Sequence, residues 1–128
     1  MTEQSVDAAP PPVDADVRIV GSWQQTHPPE AVGWVISYII TLAAQDERVT
    51  KWGIGFQVPL GTRTNPTESP WYVVDNDGAG GVVVISCTDG SHTVEPGTPL
   101  PVGVQLLYLS QADAGDGGLA NLYAIAQP

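Results

Sequence analysis

The 128-residue sequence has one cysteine, one phenylalanine and four basic residues, and each scarcity excludes something. A lone Cys87 rules out an internal disulfide. Its place in a Val- and Ile-rich run is that of a small buried hydrophobe rather than a reactive thiol. Four Lys and Arg against fourteen Asp and Glu leave a formal charge of -10. Such a field repels phosphate backbones and anionic lipid, so neither nucleic acid nor a membrane surface is expected as a partner. No apolar stretch approaches the roughly 20 residues of a membrane span. The opening MTEQSVDAAPPPVDADV lacks the basic n-region and apolar h-region of a secretory signal. The expectation is a soluble chain made in the cytoplasm, or a secreted one if the sequence belongs to a longer chain.

Catalytic signatures are equally scarce. Gly-x-Ser-x-Gly, a Walker lysine loop and the dinucleotide glycine fingerprint do not occur, and the chain is expected not to be an enzyme. His27 and His92 with a single cysteine make a poor zinc set. Asp75, Asn76, Asp77 and Gly78 resemble the start of a calcium loop, but its twelfth position is Ser86 where a bidentate acid is needed. A solvated turn is the simpler reading, with Asp113 and Asp116 in a second acidic glycine loop. No metal and no cofactor are expected.

What the sequence does have is 14 Gly and 12 Pro punctuating short runs rich in Val, Ile and aromatic residues, the texture of an all-β domain. The strongest pattern runs from Gly33 to Val58. Trp34, Ile36, Tyr38, Ile40 and Leu42 share one parity, the two-residue period of a strand. In the second run Trp52, Ile54, Phe56 and Val58 alternate with Gly53, Gly55 and Gln57, so one face is apolar and the other nearly bare. Burying one indole removes roughly 150–250 Å² from water, worth at most about 4–6 kcal/mol. Trp34 and Trp52 are therefore the first choices for the core.

Further strands are expected at Val17–Trp23, Trp71–Val74 up to a turn at Asp75, Val82–Thr88, 102–111 as a central strand, and the closing run after Gly118. Residues 60–70 read as a polar loop. About seven short strands separated by turn clusters predict an immunoglobulin-like Greek-key β-sandwich over 17–128. Residues 1–16, acidic and carrying Pro10, Pro11 and Pro12, form an extended arm.

Several of these features, taken in order, resemble the bacterial cellulose-binding modules of family two, which are immunoglobulin-like sandwiches. Trp52, Ile54 and Phe56 closing at Val58-Pro59 look like that family's strand with an inward tryptophan. Trp71, the run around Val84 and Glu95-Pro96-Gly97-Thr98 before an apolar strand are similar to later steps of its pattern. The family disulfide is impossible here. The resemblance implies binding of cellulose- or chitin-like glycans by exposed aromatics. With Trp34 and Trp52 assigned to the core, Trp23, Trp71 and Tyr72 are the candidates to stack on sugar rings.

Two functions thus stand as expectations, both non-catalytic. The first is a virion-surface protein that decorates a phage head, docking on the capsid or another large symmetric assembly through the arm, with Pro10, Pro11, Pro12 and Val13 as contacts. The alternative is a carbohydrate-binding module acting on a surface glycan.

Overall fold

A computed structural model describes residues 13–25, 33–64 and 72–126. Among these are eight strands and one short helix. Strand β1 (Val13–Gln25) pairs antiparallel with β2 (Gly33–Ala44), from Val13 opposite Ala44 to Gln25 opposite Gly33. The register shifts between Ile19 and Gly21, so Val20 is an extra residue on β1. Strand β3 (Trp52–Gln57) belongs to the other layer, and β4 (Arg63–Thr64) returns to the first. Then come β5 (Val73–Asp77), β6 (Val82–Cys87), β7 (Leu100–Tyr108), helix α1 (Gln111–Ala114) and β8 (Ala120–Ala126). Sheet one has the order β1-β2-β7-β4, and sheet two the order β5-β6-β3-β8. All the strand pairs are antiparallel. The fold is the β-sandwich that the alternation predicts.

The two runs that dominate the sequence, β2 and β3, do not pair. Each is the inner strand of a different sheet, and the charged connection 45–51 carries the chain from one layer to the other. Ile36, Tyr38, Ile40 and Leu42 of β2 with Val102, Val104, Leu106 and Tyr108 of β7 form one wall of the core. Trp52, Ile54 and Phe56 of β3 with Val83, Ile85 and Cys87 of β6 form the other. Trp52 is fully enclosed, and its Nε1 donates to the His92 carbonyl at 2.9 Å, so the indole loses no hydrogen bond on leaving water. Val49 and Val94 exchange two backbone bonds of 2.8 Å and close that end.

The opposite end is closed by polar chemistry. Tyr38 Oη donates to the Gly117 carbonyl at 2.7 Å and lies 2.6 Å from Tyr108 Oη. Tyr38 has a single hydroxyl proton, so Tyr108 is the donor of the second bond. Burial pushes both phenols above the ordinary tyrosine range; for Tyr38 the bond to Tyr108 adds to the rise. Gly117 has φ 82, and a Cβ there would meet Ile19 Cδ1 at 2.7 Å and Ile36 Cδ1 at 3.0 Å. The positive φ calls for glycine at 117, and a side chain there would also have to push the ends of the two isoleucines aside.

Several expectations are corrected. The strand placed at Val17–Trp23 begins at Val13, so residues 13–16 of the supposed arm belong to the sheet. Val13, Ala15 and Val17 are half-buried against the core while Asp14, Asp16 and Arg18 point to solvent. Trp34 has the core parity but is only partly buried, because it sits at the end of β2 where little of the facing sheet covers it. The turn cluster expected from Asp75 through Gly81 starts later, since Asp75–Asp77 are strand with a register shift between Val74 and Asn76; its second half holds, and the chain turns at Gly78 and Gly81, where φ is 104 and 98. The supposed loop 60–70 contains β4, and the end of the expected 102–111 strand is the start of α1.

Candidate functional site

The bare side of β3 is the outer surface of sheet two. Gly53 lies between Ser86 of β6 and Ile125 of β8, and Gly55 between Val84 and Tyr123. Val73 of β5 extends the first of these rows beyond Ser86. Neither glycine carries a side chain, yet both are buried, and neighbouring side chains can lie down across them. Tyr123 does so. A Cβ built on Gly55 would run into the Cε1, Cζ and Oη atoms of that ring, so the ring lies over the strand and covers the position a side chain would take. It remains 47% exposed, Ile125 is also 47% exposed and Val73 is 57% exposed.

Polar groups interrupt and edge this row, since Ser86 lies between Val73 and Gly53 and is buried. The bulge at Asp75 turns its carboxylate outward, where Oδ2 accepts from Ser86 Oγ at 2.7 Å. On the other side Asn121 Nδ2 donates to Gln57 Oε1 at 2.6 Å. Asn121 has φ 55, the left-handed conformation asparagine tolerates better than most residues, and it sits where the β3–β8 register shifts. The face therefore carries a half-exposed phenol ring on β8, with Ile125 two residues along the same strand and the Asn121–Gln57 pair on β8 and β3, while Ser86 and Asp75 lie beyond β3 on β6 and β5.

The aromatic residues singled out from the sequence are not gathered on this face. Trp23 is 41% exposed on the outer side of sheet one. Its ring leans on Gly21, whose absent Cβ would lie 3.6 Å from Cζ3. Tyr72 is half-buried, and its hydroxyl donates to the Gly103 carbonyl at 2.8 Å; burial raises its pKa. Trp23 stands opposite Val35, and Val35 opposite Leu107; Gly103 is four residues further along β7, roughly 13 Å at the strand rise. Trp23 and Tyr72 therefore do not form one platform. Trp71, His27, Pro10, Pro11 and Pro12 lie outside the described residues. Val13, the remaining arm contact, is paired with Ala44 in sheet one. Tyr123 was not among the candidates; the signal that could have found it is the bare glycine side of β3.

The other groups weighed for chemistry serve local structure. Asp89 Oδ1 accepts from Ser91 N at 2.9 Å and lies 3.5 Å from Cys87 Sγ. The Ser91 hydroxyl and backbone, with help from the thiol, hold the Asp89 carboxyl below its ordinary pKa. Ser91 Oγ is 3.0 Å from His92 Nδ1, but the carboxylate that would have to orient the imidazole bonds the serine N–H and faces the thiol instead. Asn76 and Asp77 accept from the backbone of Gly78 and Ala79, which is turn chemistry. Among the described residues no three His, Cys, Asp or Glu side chains are gathered as a metal site.

The sequence matches no protein-family profile and no curated protein. Among solved structures, the fold is similar to the chitin-binding domain of Chi18aC from Streptomyces coelicolor, with a TM-score of 0.55 and 16% identity over 88% of this chain and 89% of that domain. At that identity the likeness shows a shared β-sandwich architecture.

Proposed function

We propose that this sandwich is a carbohydrate-binding module that lays the outer face of sheet two against a polysaccharide. The observation that carries the reading is the half-exposed Tyr123 ring seated over Gly55. The exposed part of the ring is available to the C–H groups of a pyranose, and aromatic contacts are worth on the order of 0.5–1.5 kcal/mol beyond area burial. The exposed Asp75, Asn121 and Gln57 supply hydrogen bonds to hydroxyls. The structurally similar domain is one that binds chitin, which supports a glycan as the ligand class and chitin- or cellulose-like chains as the first polymers to try.

Docking on a capsid through the N-terminal arm has no observation in its favour. Its one described contact residue, Val13, is tied to Ala44 and packed against the core.

The test is a depletion assay on insoluble chitin and cellulose with the wild type, Tyr123→Ala and Trp23→Ala. Tyr123→Ala should lose most of the bound fraction on the polymer that the wild type retains, while Trp23→Ala, on the other outer face, should keep it. Unchanged retention by a folded Tyr123→Ala variant would remove this reading.

A further inference from the structure

Trp34, displaced from the core by its position at a strand end, lines a cleft of about 250 Å³ with Gln24, Gly33, Leu109, Ser110 and Gln111. We infer that this cleft is a second sugar-binding subsite, which takes a single neutral pyranose, the end residue of a chain, edge-on to the Trp34 indole. The inference rests on the carbohydrate reading for its ligand class, but it concerns a different place on the molecule and different side chains.

Four observations converge. First, Trp34 is packed against the core on one side and only half-buried overall, so the ring is both fixed and accessible. Its cross-strand neighbours are Gln24 on β1 and Tyr108 on β7, which puts one carboxamide directly beside it. Second, α1 brings in the other carboxamide. Gln111 opens this helix, Ser110 caps it by accepting from Asp113 N at 3.1 Å, and Ala114 pins it by burial. The cap uses Ser110 Oγ as acceptor and leaves its proton free to donate. Third, none of the lining residues is charged, in a chain with 18 charged residues and a net charge of -10. An indole with two carboxamides and a hydroxyl, and no ion, suits an uncharged ligand whose neighbouring hydroxyls each donate and accept. Fourth, the size limits the occupant, since pockets for drug-sized ligands span roughly 300–1,000 Å³ and this one falls below that range. A Cβ on Gly33 would collide with the Tyr108 carbonyl, so the backbone at this rim is closely seated.

The outer face of sheet two would then hold the side of a polymer, and the cleft its end. Soluble sugars separate the two, because a monosaccharide or disaccharide fills a cleft but gains little from an extended surface.

The experiment follows the Trp34 indole N–H by two-dimensional NMR, assigned with Trp34→Phe, during titration with glucose, cellobiose, N-acetylglucosamine and its β-1,4-linked dimer. At least one of these should shift the Trp34 signal saturably in the wild type and equally in Tyr123→Ala. Gln24→Ala with Gln111→Ala should weaken that titration about tenfold or more, the loss of two hydrogen bonds, with the remaining indole signals undisturbed. A Trp34 signal that none of the four sugars moves, one that moves only while Tyr123 is present, or a double variant that titrates like the wild type would each overturn the cleft. Failure of the platform reads differently, as unchanged retention of Tyr123→Ala on insoluble polymer alongside an intact Trp34 response.

Discussion

Replacing Gly55 by alanine tests the geometry on which the sugar platform depends. The three nearest neighbours of the new methyl group would all be atoms of the Tyr123 ring. They belong to the far end of a flexible side chain, so the ring must swing away while the backbone stays. Tyr123 is 47% exposed, so about half of the roughly 150–250 Å² an aromatic can bury is at stake. At 25 cal/mol/Å² that is at most about 2–3 kcal/mol. The displaced ring recovers part of this on neighbouring surface, leaving a loss of about 1–2 kcal/mol. Against it stands the gain from replacing a strand glycine by alanine, about 0.5–1 kcal/mol. Gly55→Ala should therefore destabilise by up to about 1.5 kcal/mol, a fall in Tm of at most roughly 6 °C for a domain of this size.

The decisive measurement is the same substitution in a Tyr123→Ala background. With the ring gone the methyl has nothing to displace, and only the strand gain remains. The effect should reverse sign and raise stability by about 0.5–1 kcal/mol. Chemical denaturation of the four proteins gives a coupling energy near 1–2 kcal/mol. Equal effects of Gly55→Ala in the two backgrounds would mean that the ring does not rest on Gly55, and the platform argument would lose its base.

Three further outcomes follow from the core. Tyr38→Phe strands two groups at once, the Gly117 carbonyl and the Tyr108 hydroxyl, and should cost about 2–4 kcal/mol; Tyr108→Phe leaves the bond to Gly117 intact and should cost about 0.5–1.5 kcal/mol, an order that urea midpoints will confirm or reverse. Because the folded-state pKa values of both phenols lie above the unfolded value, their contribution to stability is complete below about pH 10. It is lost as pH rises from there through the folded values, at about 1.4 kcal/mol per pH unit for each phenol. Denaturation midpoints should hold below pH 10 and fall above it, less steeply in Tyr38→Phe; a flat alkaline profile would contradict the burial of these groups. Thr62 is fully buried, with no hydrogen-bond partner for Oγ1 among the described residues, so Thr62→Val should be neutral or stabilising by up to about 1–2 kcal/mol, and a clear drop in Tm would reveal a bond to that hydroxyl.

Period and parity made the core strands legible. They assign Ile36, Tyr38, Ile40 and Leu42 to one face and Trp52, Ile54 and Phe56 to another, and the structure agrees. Parity gives the face but not the depth, which is why Trp34 was placed too far inside. The alternation Val13, Asp14, Ala15, Asp16, Val17, Arg18 is as regular as that in β2, but the preceding prolines and the acidic charge pointed to an arm. Pairing with β2 offsets the entropy of ordering those residues, and that partner cannot be read from the segment itself. Asp75-Asn76-Asp77 has turn composition, but a bulge lets the strand run on while Asp75 reaches Ser86. The candidate site was least legible because it is assembled from distant segments. Gly55 and Tyr123 are neighbours only because β8 pairs with β3, and nothing local to either residue announces that pairing.

A stability role alone would account for Tyr123, since an aromatic ring over a strand glycine protects exposed backbone. It does not account for what surrounds the ring. On the outer side of sheet one, Val35 and Leu107 of the inner strands are 0% and 7% exposed, while Trp23, in the same row on the edge strand, is 41% exposed. On the outer side of sheet two, Val73 and Ile125 lie in the row through Gly53, the row next to the ring, and about half of each is in water. Covering a glycine requires one ring and no exposed aliphatic partners. On the reading proposed above, contact from outside is what would remove these side chains from water.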